Sequence, residues 1–71
     1  MPEDIKAHIT GVVFQITAKA GDSIAAGDPV IVLESMKMEI PVEAPRAGKV
    51  KEIRVAEGQT VQEGETVAVM E

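Results

Sequence analysis

An internal repeat limits the folds open to this 71-residue chain. Residues 7–34 read AHITGVVFQITAKAGDSIAAGDPVIVLE, and residues 44–71, at an offset of 37, read APRAGKVKEIRVAEGQTVQEGETVAVME. At this offset all six glycines of the chain form pairs: Gly11 with Gly48, Gly21 with Gly58, and Gly27 with Gly64. Because a chance match would not pair every glycine, the sequence indicates a duplicated unit. Two copies favour a pseudo-two-fold domain over a solenoid.

Both copies have the composition of β-strands. Val and Ile are enriched, glycine recurs at short intervals, and no long stretch free of Gly and Pro shows a helical period. Turns are expected at Gly21-Asp22 and Gly27-Asp28, where glycine supplies positive φ at little cost. The predicted strands are 11–18, 23–24 and 29–35 in the first copy, 49–55, 60–61 and 66–71 in the second, and 38–42 between them.

These strands predict one all-β domain over residues 1–71, a flattened β-barrel or sandwich. Its two small antiparallel sheets would pack face to face, with the pseudo-two-fold axis relating residues 7–34 to residues 44–71. Pro29 and Pro41 each lack an N–H donor, so each is expected at a strand start or at a sheet edge.

Composition argues against several classes of function. The chain has no cysteine, hence neither a disulfide nor a thiolate metal site. Its net charge of −5 argues against a nucleic-acid or anionic-membrane partner. The longest apolar run, at residues 30–33, is far too short to span a bilayer. The first residues lack the basic and apolar regions of a signal peptide, so a cytoplasmic location is expected.

No catalytic constellation is evident. His8 is the only histidine, and near an N-terminal strand it is expected to be a solvated residue rather than a metal ligand. Acidic residues are scattered, and neither a GxxxxGK[ST] loop nor a GxSxG elbow occurs. The chain alone is therefore expected to have no catalytic residue and no metal site.

The segment ESMKMEIPV, residues 34–42, joins the two copies and places Lys37 between Met36 and Met38. We expect a hairpin with Met36-Lys37 at its tip, which would expose all three side chains. An exposed lysine is usually only a solvated loop residue. Exposed methionines beside it are costly in water, at about 25 cal/mol per Å² of apolar area. Because methionine is common at surfaces that receive partners, these neighbours favour a functional site.

This segment and its surroundings resemble the biotinyl domain, the biotin carboxyl carrier branch of the biotinyl/lipoyl attachment family. The resemblance covers about residues 5–71. The matching patterns are Gly11-x-Val13-x-x-Ile16, Gly21-Asp22-x-Ile24-x-x-Gly27-Asp28, Glu34-Ser35-Met36-Lys37-Met38 and Ala44-Pro45-x-x-Gly48-x-Val50.

The resemblance implies that Lys37 carries biotin through an amide, with Met36, Met38, Glu34 and Ser35 completing the attachment motif. It implies a non-catalytic carrier, modified by a biotin protein ligase, that shuttles carboxylate between biotin carboxylase and carboxyltransferase subunits or domains. The isolated chain is expected to be a monomer.

Two departures from the family pattern refine this expectation. Ser35 stands where many members have alanine, and its small size should be tolerated. No insertion occurs between Ala18 and Gly21, where some bacterial carriers have a protruding thumb loop. The likeness is therefore to thumbless domains, either those at the C-terminus of acyl-CoA carboxylases or small free-standing bacterial biotinylated proteins.

Two alternatives remain open on the sequence. A lipoyl carrier would share the fold and the hairpin lysine, but lipoyl domains usually place acidic or small residues beside it. A non-carrier interaction module with a lipoyl-like fold would leave Lys37 unmodified. Phe14, the only aromatic residue, lies opposite Lys51 in the repeat, so it is not expected in the deep core. It is interpreted as a partly covered strand residue or a contact for the ligase or a carboxylase.

Overall fold

The computed structural model describes residues 2–71, and it consists of strands joined by short turns. The strands are β1 (Glu3–Lys6), β2 (Gly11–Ile16), β3 (Ser23–Ile24), β4 (Pro29–Ser35), β5 (Met38–Glu43), β6 (Gly48–Ile53), β7 (Thr60–Val61) and β8 (Thr66–Met70). The predicted all-β class is confirmed. Over residues 2–71, no helix has the length and apolar character needed to cross a membrane.

The strands form two four-stranded antiparallel sheets, as the sequence predicts. The hairpin sheet has the order β5-β4-β2-β7, and the terminal sheet has the order β1-β8-β6-β3. The offset of the repeat relates β1 to β5, β2 to β6, β3 to β7 and β4 to β8, so the two sheets have equivalent orders. Each sheet contains strands from both copies, because β7 pairs with β2 and β3 pairs with β6. Neither copy can therefore complete a sheet alone.

Four tight turns connect the two copies of the repeat through the same set of hydrogen bonds. In the turn at residues 19–22, the Asp22 N–H donates to the Lys19 carbonyl, and the Asp22 carboxylate accepts from the Lys19 N–H. The Gly21 N–H then donates to the Val50 carbonyl (2.8 Å), and the Val50 N–H donates to the Asp22 carbonyl (2.9 Å). Gly21 has φ of 95°, a conformation that glycine adopts without strain.

The other three turns repeat this arrangement on the opposite copy. They lie at residues 25–28, 56–59 and 62–65, and they dock on Ala44, Val13 and Ala7 respectively. The predicted turns at Gly21-Asp22 and Gly27-Asp28 are thus confirmed. The pairs Gly21–Gly58 and Gly27–Gly64 recur because each turn needs the same positive φ to reach across the domain.

The core lies between the sheets and is formed by short aliphatic side chains. Its largest fully buried members are Ile31, Leu33, Met70, Val13, Val30, Val42, Val50, Val61 and Val67. No polar or charged side chain of the described residues is buried. Each fully buried aliphatic side chain contributes about 1.5–3 kcal/mol, which stabilises a domain that has no disulfide.

The strand limits differ slightly from those predicted. β2 ends at Ile16 rather than at residue 18, because the N–H groups of Thr17 and Ala18 both donate to the Val30 carbonyl and turn the chain away from the ladder. β6 likewise ends at Ile53. No limits were predicted for β1. Pro29 starts β4 and Pro41 lies on the edge strand β5, as predicted.

Candidate functional site

The hairpin between β4 and β5 has Met36 and Lys37 as its two tip residues. Ser35 pairs with Met38 directly below them. Met36 has φ of 54° and Lys37 has φ of 65°, which are the only positive φ values at non-glycine positions among residues 2–71. A two-residue loop with both φ values positive is a type I′ turn, the type that suits the twist of a β-hairpin. The predicted position of the hairpin tip is therefore confirmed.

The residues of this turn are not those that the turn prefers. Type I′ turns favour Asn-Gly or a similar pair, because other residues in the left-handed region cost roughly 1–2 kcal/mol each. The chain holds a methionine and a lysine there instead. Backbone strain of this kind clusters at functional sites, where it persists because the surrounding structure imposes it. The six residue pairs of the β4–β5 ladder supply that support below the tip.

The side chains of the tip project into solvent. Met36 is 92% exposed and Met38 is 63% exposed, while Lys37 and Glu34 are exposed and Ser35 is half-buried. No ion pair between described residues involves Lys37, since the ion pairs join Arg46 to Glu3 and Arg54 to Glu52. The Lys37 amine is therefore accessible to an incoming reagent.

Two further residues near the hairpin tip were not identified as site residues from the sequence. Glu39 lies directly opposite Glu34 across the ladder, which places two carboxylates of like charge side by side. Gly11 packs its backbone against the Glu34 carbonyl and so holds β2 close to the hairpin. The pairing of Gly11 with Gly48 in the repeat was the signal for a close contact. No sequence pattern indicated the carboxylate pair, because the pair depends on the register of the hairpin.

The other residues considered in the sequence lie away from this tip. His8 is exposed and follows β1, so the interpretation of it as a solvated residue agrees with its position. Phe14 lies on β2 and is 49% exposed, in agreement with its equivalence to Lys51. Among residues 2–71, no three His, Cys, Asp or Glu side chains are grouped as metal ligands.

The sequence of the chain matches a known protein family. The model of the biotin/lipoyl family, described as "Biotin-requiring enzyme", matches residues 1–70. A "Biotinylated protein TB7.3 homolog" from Mycobacterium leprae is 44% identical over 70 residues, covering 99% of each chain. A "Biotin/lipoyl attachment protein" from Bacillus subtilis is 44% identical over 63 residues, which cover 89% of this chain and 86% of that protein.

The fold is also found within a much larger enzyme. The crystal structure of the urea carboxylase from Kluyveromyces lactis matches 99% of this chain with a TM-score of 0.93 and 38% identity, although the match covers only 6% of the carboxylase chain. The resemblance inferred from the sequence and the predicted flattened barrel are both confirmed by these matches.

Proposed function

We propose that this chain, which belongs to the family of biotin-requiring enzymes, is a biotin carrier whose single biotin is an amide on the Nζ atom of Lys37. The observation that best supports this site is the hairpin itself. Lys37 is an exposed lysine held at positive φ on the one connection that the repeat does not duplicate. The carrier role is supported by relatives named for biotin at 44% identity.

Attachment forms a bond between the Lys37 Nζ atom and the carboxyl carbon of biotin, and it breaks the bond from that carbon to an activating group. A lysine amine is mostly protonated in neutral water. A biotin protein ligase must therefore supply the activated acyl donor and accept a proton from the amine. The product is a neutral amide, so the formal net charge of the chain changes from −5 to −6.

The chain itself contributes position and reach. Bound biotin supplies carboxyl-group transfer, and a carrier leaves such chemistry to its cofactor and to its partner enzymes. The principal extents of 33 × 17 × 17 Å make the domain small enough to approach two different active sites in turn. The rigid ladder below the tip fixes the start of the tether, while the lysine side chain lets its far end move. Tethering also raises the local concentration of the attached group at the partner.

The partners we propose are a biotin protein ligase and the biotin carboxylase and carboxyltransferase parts of a biotin-dependent carboxylase. The structural match within urea carboxylase supports the carboxylase context, because this fold forms a small part of that chain. We propose that the isolated domain is a monomer with no catalytic residue of its own.

The test is the intact mass of the purified chain after expression with a biotin protein ligase and, separately, with a lipoate ligase. We expect the mass of one biotinyl group in the first sample and no lipoyl group in the second. A lipoyl group alone would support a lipoyl carrier. An unmodified chain in both samples would support an interaction module, and either result would contradict the proposed function.

A further inference from the structure

The outer faces of the two sheets differ, although the repeat relates the sheets strand by strand. Among residues 2–71, the large apolar side chains that are exposed are Val12, Phe14, Met36 and Met38, and all four belong to the hairpin sheet or its tip. Val12 is 39% exposed and Phe14 is 49% exposed. The equivalent positions of the terminal sheet hold Lys49 and Lys51. Duplication alone would have given two similar faces.

Register defines the apolar face of the hairpin sheet. Directly paired residues of an antiparallel sheet share a face. Because Val13 and Leu33 pair and point into the core, the pairs beside them point outward. Phe14 is the extra residue of a β-bulge between Val13 and Gln15. The two outward rows are Val12–Glu34–Glu39 and Gln15–Val32–Pro41.

The terminal sheet has the same geometry with a charged surface. A bulge occurs at the equivalent place, and its extra residue is Lys51. The row equivalent to Gln15–Val32–Pro41 is Glu52–Val69–Asp4. Glu52 is already paired with Arg54, at 2.9 Å. The valine of this row, Val69, is only 5% exposed, whereas the hairpin face leaves the apolar area of Val12 and Phe14 uncovered.

The two sheets also differ in charge. The strands of the hairpin sheet contain three glutamates and no lysine or arginine. The strands of the terminal sheet contain three acidic residues and three lysines. Within the hairpin, Lys37 is the only cation, and it stands beyond an apolar, acidic face. Such a face is complementary to an apolar surface flanked by basic side chains.

We propose that the outer face of the hairpin sheet, built around Val12, Phe14 and Val32, is the docking surface for the enzyme that acylates Lys37. This rests on the proposed function, because it assumes that Lys37 is acylated. The enzyme contacts this face with apolar side chains flanked by lysine or arginine. Val12 pairs with Glu34, two residues before Met36, so the face begins about 7 Å from the tip.

An apolar face on only one sheet lets the enzyme distinguish the two equivalent sheets that the duplication creates. The domain presents lysines on the terminal sheet as well as at the hairpin tip, and every lysine amine has the same intrinsic chemistry. An enzyme that first binds an apolar face present on only one of two equivalent sheets brings its activated acyl group to the correct end. Lys49 and Lys51 stand on the sheet that lacks this face and are left unmodified.

A second copy of the chain fits this surface less well. In a symmetric dimer, the carboxylates of Glu34 and Glu39 would lie near their own counterparts, and like charges repel. A standard stable interface also buries about 800 Å² from each partner, a large share of a chain whose whole accessible surface is 4264 Å². The small apolar area suits a transient encounter with an enzyme.

The experiment measures the steady-state kinetics of biotin incorporation into the full chain, with a purified biotin protein ligase that modifies the parent. In the variant Val12→Ser/Phe14→Ser, we expect KM for the chain to rise about tenfold, because a few central apolar residues carry most of the binding energy of an interface. We expect kcat to change less than about twofold, because the Lys37 tip is unaltered. The matched control, Lys49→Ser/Lys51→Ser, alters the terminal face and should leave KM unchanged.

Circular dichroism checks that each variant folds. Phe14→Lys is the second variant, since the equivalent bulge already holds Lys51, and it should raise KM in the same direction. An unchanged KM in the folded variants would overturn the docking surface while leaving Lys37 biotinylation intact. A parent dimer that is abolished by Val12→Ser/Phe14→Ser would assign the face to a second copy and would equally overturn the proposal. Absence of biotin on Lys37 in the parent would instead overturn the proposed function.

Discussion

Gly11 lies so close to Glu34 that a Cβ atom on Gly11 would stand 2.8 Å from the Glu34 carbonyl oxygen. That oxygen is backbone, three residues before Lys37, and it cannot move without moving the hairpin. At the equivalent position, a Cβ on Gly48 would come within 2.7 Å of the Arg46 guanidinium and 3.1 Å of the Met70 Cε atom. Both of those atoms lie at the ends of side chains rather than in the backbone. The two glycines thus have one place in the repeat but different neighbours.

Gly11→Ala should therefore destabilise the domain more than Gly48→Ala. We expect a loss of about 1–3 kcal/mol for Gly11→Ala, typical of overpacking against an immobile group, and under about 1 kcal/mol for Gly48→Ala. Thermal unfolding followed by circular dichroism measures the difference, at about 4–8 °C for each kcal/mol in a domain of this size. Equal losses in the two variants would show that the contact with the Glu34 carbonyl is not rigid.

Met36 and Met38 should matter little for stability. Since Met36 is 92% exposed and Met38 is 63% exposed, Met36→Ala and Met38→Ala should each change the free energy of unfolding by less than about 1 kcal/mol. Met70 is fully buried, so Met70→Ala is the matched control and should cost about 2–5 kcal/mol. Chemical denaturation of the three variants gives the comparison. A cost at Met36 near that at Met70 would mean that the tip is packed rather than exposed.

Relief of the backbone strain at the tip should raise the stability of the domain. Asparagine tolerates the left-handed region better than methionine does, so Met36→Asn should raise the free energy of unfolding by up to about 1 kcal/mol. Lys37 keeps its place in this variant, and the β4–β5 ladder is unaltered. The measurement is the midpoint of thermal unfolding. A lower midpoint in the variant would indicate that the tip does not hold Met36 at positive φ.

The position of the lysine should affect the rate of biotin attachment more than the residues beside it do. Two variants exchange Lys37 with Met36 or with Met38, so composition and net charge stay the same. A shift of one residue moves the amine by about 3.5 Å, and misplacement by about 1 Å can reduce a rate a hundredfold. We expect the initial rate of biotin incorporation to fall at least a hundredfold in both. Modification of either folded variant at the parent rate would show that the ligase recognises the residues around the lysine rather than its position.

Much of this fold could be predicted from the sequence because the repeat specifies it twice. Two of the three glycine pairs located the turns, and the position of Pro41 on an edge strand followed from its missing N–H group. The exchange of β3 and β7 between the two copies could not be predicted, since it depends on hydrogen bonds from Val13 and Val50 to distant turns. Tertiary contacts of this kind leave no local pattern.

The position of the hairpin tip was predicted, but its backbone conformation was not. The segment around Lys37 indicated a hairpin tip, yet it contains none of the Asn-Gly or Asp-Gly pairs that signal a type I′ turn. The positive φ values of Met36 and Lys37 arise because the pairing of Ser35 with Met38 leaves only two residues to reverse the chain. The apolar face around Phe14 likewise required the register of β2 against β4.

Peptide mapping by tandem mass spectrometry, applied to the biotinylated chain and to Lys37→Arg, tests whether Lys37 is the attachment site. Arginine keeps the charge, but its guanidinium stays protonated and cannot act as the nucleophile. The parent should carry one biotin, on Lys37, and the variant should carry none. Biotin on Lys6, Lys19, Lys49 or Lys51 of the folded parent, or on any residue of Lys37→Arg, would contradict the assignment of Lys37.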